Sequence, residues 1–462
     1  MKSDYATVAE PGSMAQVSFR MPDGSPGQSY VMFPLPEGAE VECDPAKHYP
    51  THQGSDFYHH WREDLALFAE MGHTTFNTSI SWARLYPHGI DGGANPEGVA
   101  FYRSVFEECR RLGIDPVITL YKYDEPLCLE WKYGGWANRA MIDEFVAFAT
   151  TCIHEFGDIV TKWLTFNEVN SLAMAHMPGG PREYDQNRFE MLHNRLVAAA
   201  RVVQIAHDLR PGTKVGCMVA SEVLYPMTTD PNDVLLTQQQ VQEDFFYCAD
   251  TMMRGRYPSY AKRIWDSYGV ELDVSEEDAD DLLRGAADFL AFSYYMSTVA
   301  TTHEIKETVS GNLIGGARND YLSYSEWGWA KDPVGFRYFL NMVWDRYQKP
   351  LFDVENGLGA IDVLERDEDG NEVVHDGYRI DYLRSHIEEM RKAVCEDGVG
   401  LFGYTTWGGL DLVSYSTNQM NKRYGQIYVD FDDEGKGDFH RVRKDSFYWY
   451  QKVIASNGED LD

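Results

Sequence analysis

Positive charge is what this chain has least of. Across 462 residues, 41 Lys and Arg stand against 73 Asp and Glu, a formal net charge of −32. That balance argues against nucleic acid and anionic membrane as partners, because both are held by clustered cations. It leaves room for a small anionic ligand, which needs only one local cationic pocket. No apolar run approaches bilayer-crossing length, and the first residues hold no long apolar core of a secretion signal. The seven cysteines, at 43, 109, 128, 152, 217, 248 and 395, include no CxxC pair, and their number is odd. Such usage fits a reduced, cytoplasmic protein. Nucleotide-fold signatures are missing too: no GxGxxG follows a strand pattern, and no Walker A sequence occurs. His154-Glu155 and His303-Glu304 lack the second histidine of HExxH, so neither makes a zinc site.

What is present is a repeated alternation of strand and helix patterns. Apolar residues at helical spacing run through Ser55–Met71, Pro96–Leu112, Ile142–Phe156, Phe189–Leu209, Asp244–Gly255, Pro333–Arg346, Tyr378–Val394 and Val442–Ile454. Strand patterns fall at Thr74–Trp82, Pro116–Tyr121, Trp163–Glu168, Lys214–Ala220, Asp288–Tyr295, Pro350–Glu355 and Leu401–Trp407. Repetition of this order without hairpins predicts an α/β protein with a parallel sheet under helices. The expected architecture is a single-domain (β/α)8 TIM barrel over residues 1–462, with an open doubly wound sheet as the alternative. Seven strands are legible, so an eighth must lie in residues 1–54. That segment is proline-rich and atypical, and its one strand pattern is Ser29–Phe33. The first barrel strand is therefore expected to be atypical or missing.

In a parallel barrel the site forms where strands end at their C-termini. Those ends read Trp82, Lys122 with Asp124, Asn167 with Glu168, Tyr294 with Tyr295, Glu355 with Asn356, and Trp407 with Asp411. Two of the strands run out of apolar sequence into glutamate: Trp163-Leu164-Thr165-Phe166-Asn167-Glu168 and Leu351-Phe352-Asp353-Val354-Glu355. Paired carboxylates facing each other across a pocket suffice to cleave a glycosidic bond. Retention requires them about 5–5.5 Å apart, one attacking the anomeric carbon and the other protonating the leaving oxygen.

Thr165-Phe166-Asn167-Glu168 and Glu355-Asn356-Gly357 resemble the two active-site signatures of glycoside hydrolase family 1, retaining β-glycosidases on a (β/α)8 barrel. Phe57-Tyr58-His59-His60, Tyr123-Asp124-Glu125-Pro126-Leu127, Tyr133-Gly134-Gly135-Trp136 and Asp288-Phe289-Leu290 fit the same layout. The resemblance implies Glu168 as acid/base and Glu355 as nucleophile. It assigns Asn167 to the sugar 2-hydroxyl, Tyr295 to orienting the nucleophile and Trp407 to a platform under the sugar. It implies no metal and no organic cofactor. Where ordinary members carry Glu-Trp after the last strand, this chain has Ser414-Tyr415. Ser414, Lys422 and Tyr424 resemble the 6-phosphate site of the 6-phospho-β-glycosidases, and Phe292–Ser297 resembles the same branch. The implied substrate is a phosphorylated β-glucoside, with a 6-phospho-β-galactosidase or dual enzyme as the first alternative. Trp327 and Trp329 are candidates for the aglycone side, with core packing of one or both as the alternative.

Three positions depart from the family pattern. Asn77 stands where an Arg usually supports the nucleophile, and Lys122 where a His usually holds the 3-hydroxyl. Lys122 is expected either to replace the lost positive charge or to meet a different substituent. The opening Phe-Leu-Trp-Gly-type segment is absent. These departures raise a second alternative: a barrel that binds phosphosugar with impaired turnover.

Overall fold

Seven strands pair in parallel, each with the next in the chain: β1 (Thr75–Ser79), β2 (Asp115–Tyr121), β3 (Lys162–Phe166), β4 (Lys214–Ala220), β5 (Phe289–Tyr294), β6 (Leu351–Asn356) and β7 (Leu401–Thr406). This computed structural model describes residues 16–30, 36, 38–41, 48–176, 182–221, 223–311, 315–415 and 417–462. A helix follows each strand on the outside, from Pro96–Arg111 after β1 to Asp445–Ala455 after β7. Another, Phe57–Met71, precedes β1 and ends at Gly72 with φ +92°. Only glycine reaches that conformation without a steric penalty, which is why the sequence stops the helix there.

Burial on both faces explains why the strands read as apolar runs. All six residues of β5 are buried. Val117, Leu164, Met218, Phe289, Ala291, Phe352 and Val354, drawn from five strands, fill the barrel interior. Their outward neighbours Ile118, Trp163, Cys217, Leu290 and Phe292 pack under the helices.

The expected eighth strand is not in the barrel sheet among the described residues. Ser29 and Tyr30 instead pair with Val17 and Gln16, in an antiparallel hairpin of Gln16–Arg20 and Pro26–Tyr30. Glu40–Val41 adds a third strand to it. Residues 31–33 of the anticipated strand lie outside the described residues. The hairpin turns at Gly24, φ +82°, where Asp23 Oδ1 accepts from the Ser25 backbone N–H at 2.9 Å. The prolines and Asp-Gly of this segment thus make a local turn rather than a loop feeding a barrel strand. Among the described residues, no strand closes the barrel between β7 and β1. Their Cα atoms come within 8 Å, but no ladder forms. Phe402 on β7 shows the consequence: its ring packs 5.0 Å from Phe352 and 5.3 Å from Phe289, yet it is 45% exposed.

Several expected elements shift. Trp82 begins a short helix, Trp82–Leu85, rather than ending β1. Asp244 lies in a π-helical turn, Gln242–Phe246, that runs into Tyr247–Arg254. The acidic stretch before Arg284 is a helix, Glu276–Arg284, whose first turn is capped by Ser275 accepting from Asp278 N–H. Residues 300–330 carry short antiparallel pairings, among them Thr308–Ser310 with Gly315–Ala317. Among the described residues, no helix is long and apolar enough to cross a membrane.

Candidate active site

Alternation alone would point Glu355 away from the interior. Phe352 pairs with Ala291 and Asp353 with Phe292, but Glu355 rather than Val354 meets Ser293. The extra residue is a β-bulge, and it re-aims the carboxylate into the barrel mouth beside Ser293. Glu168 is turned by a different device. Its φ is +41°, a left-handed conformation that costs a non-glycine residue energy. Tyr123, at the end of β2, has φ +60°. Two such residues at adjacent strand ends mark where the backbone is held out of its preferred state to aim side chains.

The carboxylates share a set of donors. Ser293 donates to Glu168 Oε1 at 2.6 Å, and Tyr123 O–H to Glu168 Oε2 at 3.4 Å. Tyr295 O–H donates to Glu355 Oε2 at 3.0 Å, and Lys122 Nζ to Glu355 Oε1 at 2.8 Å. The Lys122 ammonium also stands 4.3 Å from the centre of the Trp407 ring. Asn167 is buried and donates to Tyr123 O–H at 3.4 Å. Burial, and then the negative charge of Glu355, push the Glu168 carboxyl up to about 7. The hydrogen bond from Ser293 and the Lys122 charge oppose that rise. One carboxyl is thus able to hold a proton near neutrality, the property a general acid needs.

A second cluster adjoins the first through aromatic rings. Tyr295 contacts Trp329 at 5.4 Å between centroids, and Trp329 contacts Tyr424 at 6.5 Å. Trp327 and Trp407 pack on the same group. Lys422 Nζ lies 4.3 Å from the Trp329 ring and 5.5 Å from the Trp327 ring. Lys422 is 1% exposed, and no carboxylate lies within 4.0 Å of it among the described residues. Burial alone brings its ammonium down to about 8. Ser414 is buried and hydrogen-bonds the Tyr424 phenol. Arg423, between Lys422 and Tyr424, points the other way. It reaches Asp411 at 2.9 Å and the carbonyls of Val429 and Phe431 at 2.9 and 2.8 Å. Lys444 also holds Asp411, at 2.7 Å. This buried set of ion pairs fixes the strap that carries Lys422 and Tyr424.

Glu168, Glu355, Asn167, Tyr295, Trp407 and Lys122 therefore gather at one strand-end pocket, with Ser414, Lys422, Tyr424 and Trp327 beside it. Five other strand-end residues do not join that set. Asn356 is fully buried and donates to the Tyr294 carbonyl at 2.7 Å, and Asp124 is buried and accepts from the Trp82 backbone N–H at 2.9 Å. Trp82 is fully buried and stacks on Phe148, 5.4 Å between centroids. Tyr294 points outward and donates to the Asp332 carbonyl at 2.7 Å. Asp411 is the anchor just described. A count of strand ends does not resolve which side chains enter the pocket. Trp329 stands over Lys422. Ser293 and Tyr123 are the contacts that reading the glutamate motifs alone misses. Ser293 lies two residues before Tyr295, and the Phe289, Ala291, Ser293 alternation is the signal that would find it. Tyr415 stacks on Tyr123 at 5.0 Å, closing the pocket behind the phenol.

A parallel strand-and-helix barrel with two glutamates at its strand ends is of the (β/α)8 type. The model of glycosyl hydrolase family 1 matches residues 41–459, and the chain belongs to that family. It is 46% identical over 421 residues to the 6-phospho-beta-glucosidase AscB of Escherichia coli (strain K12), covering 90% of this chain and 87% of that protein. It is 32% identical to a 6-phospho-beta-galactosidase of Clostridium acetobutylicum, covering 86% of this chain and 87% of that protein. Among solved structures, the family 1 β-glucosidase from Thermotoga maritima superposes with a TM-score of 0.75 at 30% identity, covering 88% and 89% of the two chains. The family match begins at residue 41, beyond the N-terminal hairpin Gln16–Tyr30.

Proposed function

We propose that this protein hydrolyses 6-phospho-β-glucosides, releasing glucose 6-phosphate with retained configuration. The observation that carries the phosphate specificity is Lys422, a buried ammonium with no carboxylate beside it among the described residues. An ammonium so placed is costly unless an anion joins it. Phosphate would complete the site, with the hydroxyls of Ser414 and Tyr424 as further partners. The preference for gluco over galacto substrates is supported by the higher identity to the glucosidase.

In this reading Glu168 is the acid/base and Glu355 the nucleophile. Glu168 gives its proton to the glycosidic oxygen as the bond from that oxygen to the anomeric carbon breaks. A Glu355 oxygen forms the new bond to that carbon, and the aglycone leaves carrying the proton. Glu168, now a carboxylate, takes a proton from water, whose oxygen displaces Glu355. Tyr295 orients the nucleophile, Asn167 serves the 2-hydroxyl, Trp407 is the platform, and Trp327 and Lys122 complete the pocket. The cytoplasm is the proposed setting, consistent with six described cysteines that are all free.

The competing reading, a phosphosugar-binding barrel with impaired turnover, rests on Asn77 and on the opening between β7 and β1. The Lys122–Glu355 contact and the raised Glu168 carboxyl oppose it. Proton NMR of the first product separates the readings. The β-anomer of glucose 6-phosphate is expected to appear before mutarotation. The α-anomer first would overturn retention, and no product would favour the binding barrel.

A further inference from the structure

A carboxylate in a pocket this closed has to be compensated to stay ionised. Glu355 is 5% exposed. Its Oε2 accepts from the neutral phenol of Tyr295. On its own strand Asp353 gives no help: burial drives that carboxyl well up. Across the pocket stand Glu168 with Ser293 and Tyr123, and beyond Tyr295 the Tyr424 phenol. On β1 the neighbouring position is Asn77, uncharged, with its Oδ1 3.5 Å from the Thr119 hydroxyl. Among the described residues, one cation reaches within 4.0 Å of Glu355, and it is Lys122. Its ammonium is itself confined, by Glu355 Oε1 at 2.8 Å and by the Trp407 face at 4.3 Å.

We propose that Lys122 is the positioning residue of the nucleophile, holding the Glu355 carboxylate ionised and locked in plane between its own ammonium and the Tyr295 phenol. The proposal rests on the hydrolase reading of Glu168 and Glu355 above. The anchoring charge comes from the end of β2, although β1 offers only Asn77. When Glu355 bonds to the anomeric carbon the carboxylate charge disappears, and Lys122 regains its counter-charge only when water releases the sugar. The same ammonium also draws the Glu168 carboxyl down, against the burial and the Glu355 charge that raise it.

Lys122→Met keeps the stem against Trp407 and removes the charge, whereas Lys122→Arg keeps the charge. In Lys122→Met, kcat/KM on p-nitrophenyl β-glucoside 6-phosphate is expected to fall about 100-fold. The basic limb of its pH profile is expected to move upward by about half to one unit, because the Glu168 carboxyl loses a nearby cation. Lys122→Arg is expected to leave that limb in place. A packing role would lower the rate without moving the limb, and a sugar contact would raise KM alone. The free enzyme supplies an arm that needs no turnover: carbon-13 NMR titration of the glutamate carboxyls, with Glu168→Gln assigning the Glu168 signal. Its midpoint is expected near 7 and higher in Lys122→Met. An unmoved midpoint in folded Lys122→Met overturns the proposal, whether or not the enzyme turns over. A moved midpoint with no turnover by the unmodified protein overturns the hydrolase reading and leaves Lys122 as the counter-ion of Glu355.

Discussion

Glu355→Gln is expected to lose hydrolysis of the phosphorylated glucoside by about four orders of magnitude or more. The amide is close in shape to the carboxylate and accepts from Lys122 or Tyr295 through its one oxygen. What it lacks is the charge that attacks the anomeric carbon. The substitution also removes the second-largest cause of the raised Glu168 carboxyl, so that group is expected to titrate lower in the variant. Affinity for glucose 6-phosphate is expected to survive within about tenfold, because the phosphate contacts lie on the strap of Ser414, Lys422 and Tyr424. Steady-state kinetics and calorimetric titration of the same preparation check both halves. Residual activity within 100-fold of the unmodified enzyme would place the nucleophile elsewhere.

The second large effect is expected at Lys422, in opposite directions for activity and stability. Lys422→Met should cost about 100-fold in kcat/KM on phosphorylated substrate, the loss of one charge-assisted phosphate contact. Turnover of the unphosphorylated glucoside should be unchanged within a few-fold. The ligand-free protein should become more stable. In the fold the ammonium titrates near 8 instead of its ordinary 10.5. The folded state thus pays for holding the charge at every pH below about 8. That cost fades as pH rises toward 10.5, where the unfolded lysine also loses its proton. At pH 7 removal of the charge is worth up to about 3 kcal/mol, and at pH 10 much less. Denaturant melts of both proteins at pH 7 and pH 10 read the difference. Equal stability at pH 7 would mean that Lys422 has a counter-ion in solution.

How much of this could be read from sequence differs from element to element. The central barrel strands were legible because they are buried on both faces and then turn polar, whereas β1 and β7 are only half-buried. Phe289–Tyr294 and Leu351–Asn356 show it plainly, since nothing but apolar packing decides those positions. The opening of the barrel was legible only as an absence. Its replacement, the hairpin Gln16–Tyr30, is set by strand pairing across a short turn, and the Pro22–Gly27 stretch alone reads as loop chemistry. Glu168 and Glu355 stood out because their motifs are specific, yet their aim did not. It depends on the bulge at Val354 and the positive φ of Glu168, which alternation does not encode. Asp411 shows the reverse case. It follows the end of β7 at Thr406, where a pocket residue could lie, but Arg423 and Lys444 draw it into a buried ion-pair set. Those partners are 12 and 33 residues further on, a distance over which sequence pattern says nothing of contact.

The central claim is that this barrel turns over a phosphorylated β-glucoside despite Asn77 and the open seam. Hydrolysis of p-nitrophenyl β-glucoside 6-phosphate, run beside its galacto epimer and the unphosphorylated glucoside, tests it most directly. The account requires the 6-phosphoglucoside to be the best of the three, with activity falling above about pH 7 as Glu168 loses its proton. Faster turnover of the unphosphorylated glucoside, or no turnover by folded protein that binds glucose 6-phosphate, would contradict it.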